Sequence, residues 1–184
     1  MAKLKGVELT TAERDRLRVC FHEAGHAVAA VLVGGRIMRA EVLDRPRDGV
    51  RGSTSFVGVD ARGDLAMLSW SGPFAEARWR FGPHPRLEQV RSVLRGSCDA
   101  DDLATEVDLA TSATPRDIEP QLERCWPIVR SLAGSLYKDG HVGHRAVCER
   151  LGLPLWGPQQ RALVASIRAG LWTPPKPRGS NWWD

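Results

Sequence analysis

The pentapeptide His22-Glu23-Ala24-Gly25-His26 constrains this chain more than any other segment, because it lies inside a stretch whose apolar residues recur at helical intervals. Thr10 followed by Glu13 has the spacing of a capping box, and Leu17, Phe21, Ala24, Val28 and Val31 then mark one face as far as Gly34-Gly35. A helix over about 11–33 is predicted. Histidines four residues apart lie about 40° from each other around such a helix, so both imidazoles reach one ion while Glu23 projects beside them. They point roughly away from the Leu17–Val31 stripe, with Val19 and Val33 on their flanks, so the histidine face is also expected to be covered. Two neutral imidazoles and one carboxylate leave a fourth position open, which is the pattern of a catalytic zinc site. Zn²⁺ in such a site lowers the pKa of water from about 15.7 to about 7 and polarises a carbonyl, with Glu23 expected as general base.

A third ligand has to come from elsewhere, and the acidic run Asp99-Ala100-Asp101-Asp102-Leu103-Ala104-Thr105-Glu106 is the best source. Asp99, Asp102 and Glu106 fall at i, i+3 and i+7, on one line of a helix, so spacing does not choose among them; Asp101 stays open as well. Carboxylates at the start of a helix also favour its macrodipole, which accounts for part of the cluster.

Around this core the chain reads as one domain, mostly α with a small β-sheet, over residues 1–172, followed by a tail at 173–184. Residues 37–43 and 53–59 carry β-branched side chains on either side of the turn-rich Asp44–Gly49 segment and are predicted strands. A helix over 64–80 is expected to kink or break at Gly72-Pro73, because proline lacks the N–H that a helix interior needs. Leu103, Val107 and Ala110 continue a helical stripe through the acidic run, and further helices are predicted over 116–138, 142–151 and 158–171. The tail, rich in Pro, Gly and Ser, carries Trp182 and Trp183, which either fold back onto the domain or dock a partner.

Composition excludes several classes. With 26 Lys+Arg against 22 Asp+Glu among 184 residues, and no basic run, the surface is mixed in sign and no nucleic-acid partner is indicated. The longest apolar stretch, Ala27–Val33, is far shorter than the roughly 20 residues that span a bilayer, so no membrane partner is expected. Cys20, Cys98, Cys125 and Cys148 form no CxxC pair, which suits reduced thiols and a cytoplasmic location. His141 and His144 with Asp139 sit at a glycine-containing turn and read as an exposed loop rather than a second metal site. His84, between prolines, reads as a surface residue. Cys98, four residues before Asp102, reads as a buried thiol rather than a soft ligand.

The order HEAGHAVAAVL, then a strand pair containing GSTSF, then SGPFAEARWRFG, then DDLATEVDLAT resembles the peptidase domain of FtsH-type zinc metalloproteases, the AAA proteases. The later IVRSLAGSLYKDGHV is similar to that family's closing helical hairpin, and the resemblance covers about Arg18 to Leu151. It implies a zincin-like helical fold, Zn²⁺ held by His22, His26 and Asp102, and Glu23 as the catalytic residue. It also places Glu76, in Phe74-Ala75-Glu76, as support for the metal face. Ser71-Gly72-Pro73 departs from the family's usual glycine pair and arginine. No GxxxxGK[ST] phosphate loop and no membrane anchor occur in the sequence, so the expected activity is ATP-independent in itself.

These readings define a zinc metalloendopeptidase whose partners are protein or peptide substrates, with a separate unfoldase or adaptor as an expected source of extended chains. Residues 53–59 are a candidate edge for substrate binding or an ordinary floor strand. Two rivals are an interaction or regulatory protein with a non-catalytic zinc site, and a zinc hydrolase acting on formylated or other non-protein amides.

Overall fold

A computed structural model describes residues 8–47, 50–59, 62–97, 99 and 114–175. The chain is mixed α and β, with seven α-helices and one small antiparallel sheet among these residues. Helix α1 (Thr11–Leu32) starts where the capping box places it: Thr10 accepts from the Glu13 backbone N–H, and the Glu13 carboxylate accepts from the Thr10 backbone N–H at 2.8 Å. Strands β1 (Arg36–Arg47) and β2 (Val50–Val57) follow, then α2 (Arg62–Phe81) and α3 (Leu87–Leu94). A 3₁₀ turn at Pro115–Ile118 leads into α4 (Glu119–Arg124) and α5 (Trp126–Asp139). The chain then forms β3 (His141–Val142), α6 (His144–Leu151) and α7 (Pro158–Arg168).

Helices α1 and α2 are the centre of the molecule. Residues Ala27 to Leu32 of α1 and Ala66 to Ala77 of α2 are buried without interruption, so each helix is covered on every side in its middle turns. Their close crossing depends on Gly25, where a Cβ would come within 2.6 Å of the Ser71 carbonyl oxygen and of Ala75 Cβ. That contact brings the middle of α2, with Ser71, Gly72 and Glu76, against the histidine-bearing turn of α1. Phe21 stacks on Trp79 and Trp126 at centroid distances of 5.4 and 5.6 Å, tying α1 to α2 and α5.

The sheet has the order β2-β1-β3, with β2 paired on one side only among the described residues. Ala40 faces Thr54 across the β1–β2 ladder and Val142 across the β1–β3 ladder. Ile37, Ala40 and Val42 are the buried residues of β1, so the sheet turns one face toward the helices.

Three expectations need correction. The break at Gly72-Pro73 does not occur: Pro73 lies inside a continuous α2, where the burial of Met67, Leu68, Trp70, Phe74 and Ala75 on both sides of it outweighs the lost N–H. The single helix expected over 116–138 is three pieces, and Pro127 at the start of α5 explains the division, since proline fits a helix start but not its interior. His141 is not in a loop but in β3, a third strand that pairs with Glu41 and Ala40. The stripe Leu103–Ala110, Cys98 and residues 176–184, with Trp182 and Trp183, lie outside the described residues. No described helix is long and apolar enough to cross a membrane.

Candidate metal centre

His22 and His26 stand one turn apart on α1 with ring centroids 4.8 Å apart, and each side chain retains only 12% of its exposure. Their Nε2 atoms both turn toward Asp99: His22 Nε2 is 2.9 Å from Oδ2, and His26 Nε2 is 3.3 Å from Oδ1. One ligand atom from each of the three residues can be chosen so that all lie within 4.8 Å of one another, the spread that a single metal ion draws together. It is the only such His/Cys/Asp/Glu group among the described residues. Asp102, Asp101 and Glu106 lie outside them, so the carboxylate seen at the imidazoles is Asp99, one of the positions that spacing left open.

The imidazoles are oriented from behind by α2. His26 Nδ1 donates to the Leu68 carbonyl at 2.9 Å, and Ser71 Oγ, itself donating to the same carbonyl at 2.6 Å, lies 3.2 Å from that nitrogen. A proton fixed on Nδ1 leaves Nε2 with its lone pair facing the cleft, the tautomer a metal ligand needs. His22 Nδ1 lies 3.3 Å from Glu76 Oε2, so Glu76 stands behind His22 as a hydrogen-bond acceptor. Glu76 in turn accepts from Arg80 Nη1 at 3.2 Å and has Arg18 Nε at 3.8 Å. Gly72 is pressed against the His26 ring so closely that a Cβ there would collide with Nε2.

Glu23 sits beside the pair rather than in it. Its carboxylate is buried against β2, where Thr54 Oγ donates to Oε2 at 2.8 Å. Helix α1 therefore presents the two imidazoles, and the edge strand fixes the carboxylate beside them. His22, His26, Glu23, Glu76 and Asp99 all line one open cleft of about 770 Å³, whose other walls include Gly52 to Thr54 of β2 and Arg95 to Ser97 after α3.

The electrostatics suit a cation. Without metal, burial opposes charge on His22, but the adjacent Asp99, Glu76 and Glu23 carboxylates outweigh it and push the imidazole up to about 10. Burial likewise opposes charge on Asp99, and the two histidines overcome it, holding the carboxyl well below the usual carboxylate range. Despite its short approach to His22, the buried Asp99 Oδ2 receives no directed hydrogen bond from the described residues. A carboxylate with one buried oxygen lacking a directed donor, and with one oxygen toward each Nε2, fits a metal ion.

Thr54, Ser71, Leu68 and Gly72 were not singled out for these roles from the sequence, since only the α1–α2 crossing and the strand register bring them to the site. The alternative metal cluster at His141 and His144 does not form among the described residues: His141 Nδ1 bonds the Asp139 carbonyl, and His144 Nε2 bonds the Leu155 carbonyl at 3.1 Å. His84 lies on the surface, where its backbone N–H donates to Glu123. No family model matches the chain, and neither a curated protein nor a solved structure is detectably similar to it.

Proposed function

We propose that this protein is a zinc-dependent metallopeptidase with the zincin-like arrangement of the FtsH-type peptidase domain, acting on protein or peptide substrates without ATP of its own. The observation that carries this reading is the convergence of His22 Nε2, His26 Nε2 and Asp99 on one point of a cleft that also holds the buried carboxylate of Glu23. His22, His26 and Asp99 would hold the ion, and two imidazoles with one carboxylate suit Zn²⁺ better than a hard cation that prefers all-oxygen sites. Bound there, zinc supplies Lewis-acid polarisation of the scissile carbonyl and acidifies water at neutral pH.

The remaining chemistry belongs to the chain. Glu23 takes the proton from the attacking water and returns it to the departing amine, and Thr54 keeps that carboxylate aimed into the cleft. Glu76 and the Leu68 carbonyl hold the imidazoles in the orientation that frees both Nε2 atoms. Edge strand β2 offers backbone groups along which an extended peptide can lie. In this reading, Glu23→Gln retains zinc and loses casein and peptide hydrolysis by about 10²-fold or more. Metal analysis alongside a cleavage assay, with chelator as control, checks this. A zinc-loaded wild-type chain that cuts no peptide would instead leave a non-catalytic interaction protein.

A further inference from the structure

The cleft around the candidate metal centre is lined by four arginines, each from a different part of the fold: Arg18 of α1, Arg51 of β2, Arg80 of α2 and Arg95 at the end of α3. The described carboxylates of the same cleft already have partners. Glu76 is shared by His22, Arg80 and Arg18, Asp99 faces the two histidines, and Glu23 is held by Thr54. Arg51 and Arg95 are exposed and make no ion pair with the described residues, although they line the cavity that those three carboxylates share. Arg18 adds a buried Nε with no hydrogen-bond partner among them, at a longer 3.8 Å from Glu76. A concave site with spare guanidinium groups attracts anions, and the planar fork of arginine matches a carboxylate through two parallel hydrogen bonds.

We propose that the cleft selects polypeptide segments bearing acidic side chains, with Arg51 on the β2 wall and Arg95 on the α3 wall receiving their carboxylates. This rests on the peptidase reading for the direction of the chain through the cleft, but binding can be measured apart from hydrolysis. Strand β2 carries Arg51 next to Gly52 and Thr54, so an extended segment lying along that edge passes the guanidinium before it reaches Glu23. Arg95 stands on the α3 side of the same opening.

The test uses the full chain and three unstructured peptides of one length carrying a neutral fluorophore, with Glu, Gln or Lys flanking a central apolar pair. Fluorescence anisotropy is expected to show the Glu peptide binding about tenfold more tightly than the Gln peptide at low salt, with the gap closing as salt rises. Arg51→Gln/Arg95→Gln is expected to remove most of that gap while metal content and melting temperature hold, and Arg51→Glu/Arg95→Glu to shift preference to the Lys peptide. Equal affinities, no binding of any peptide, a preference that survives in the double variant, or tighter binding of a single-stranded oligonucleotide of equal charge would each overturn the proposal. Selective binding of the Glu peptide without its cleavage would uphold this selectivity while removing the peptidase reading. Cleavage blind to charge would do the opposite.

Discussion

On the helical side of the cleft each imidazole is fixed from behind, His26 by the Leu68 carbonyl and Ser71, His22 by Glu76, whereas on the other side Asp99 meets only the two histidines among the described residues. The helical side is therefore shaped by the packing of α1 on α2, independent of any ion. The carboxylate side closes through charge, and an ion bound there would take the place of the proton that keeps His22 charged beside Asp99. Under the proposed function, such a site would bind metal with the geometry of its rigid half and the pH dependence of its electrostatic half.

The sharpest way to break that difference is Gly72→Ala. Its new Cβ collides with His26 Nε2, so the variant is expected to keep its helical circular dichroism and to lose metal binding altogether. Next in size is the carboxylate side: Asp99→Ala is expected to lower zinc affinity by about 10²-fold or more, as loss of a ligand should, and Asp102→Ala by much less. Competition against a chelator of known affinity measures both, and the reverse order would return the third ligand to the position implied by the FtsH-type resemblance. Glu76→Gln keeps the ligands but weakens the support behind His22, and about 10-fold to 100-fold in affinity is expected.

The electrostatic half is sharpened by pH rather than by substitution. In the metal-free protein His22 is raised from 6.5 to about 10, so zinc has to displace a proton at neutral pH, and affinity rises with pH until about pH 10. Proton release on zinc addition, read in weakly buffered solution, checks this. The sign for stability runs the other way: the raised imidazole stabilises the metal-free fold fully below pH 6.5, and that contribution is lost as pH rises through about 10. Melting of the metal-free chain across that window is expected to show the decline, and zinc to abolish it.

How far the sequence carried the account differs between the same two regions. Helix α1 was legible from its start to its histidine-bearing turn, because its cap, its apolar spacing and the His-Glu-x-x-His pattern are all local. Glu76 was legible only through resemblance, and that Asp99 is the described carboxylate at the imidazoles was not legible at all, since residues at i, i+3 and i+7 share one helix line. The roles of Gly72 and Thr54 depend on a helix crossing and on which strand lies beside Glu23, which no local pattern encodes. Strand β3 has two residues, too few for a period-two signal, and the continuity of α2 through Pro73 comes from tertiary packing that overrides local preference.

The claim that two imidazoles and a carboxylate hold one ion is met most directly by X-ray absorption on the zinc-loaded protein. The account predicts scattering from two imidazoles together with oxygen neighbours at about 2.0–2.2 Å and no sulfur, with the imidazole pattern lost in His22→Ala/His26→Ala. A sulfur neighbour at about 2.3 Å, or a spectrum without imidazole scattering, would contradict it.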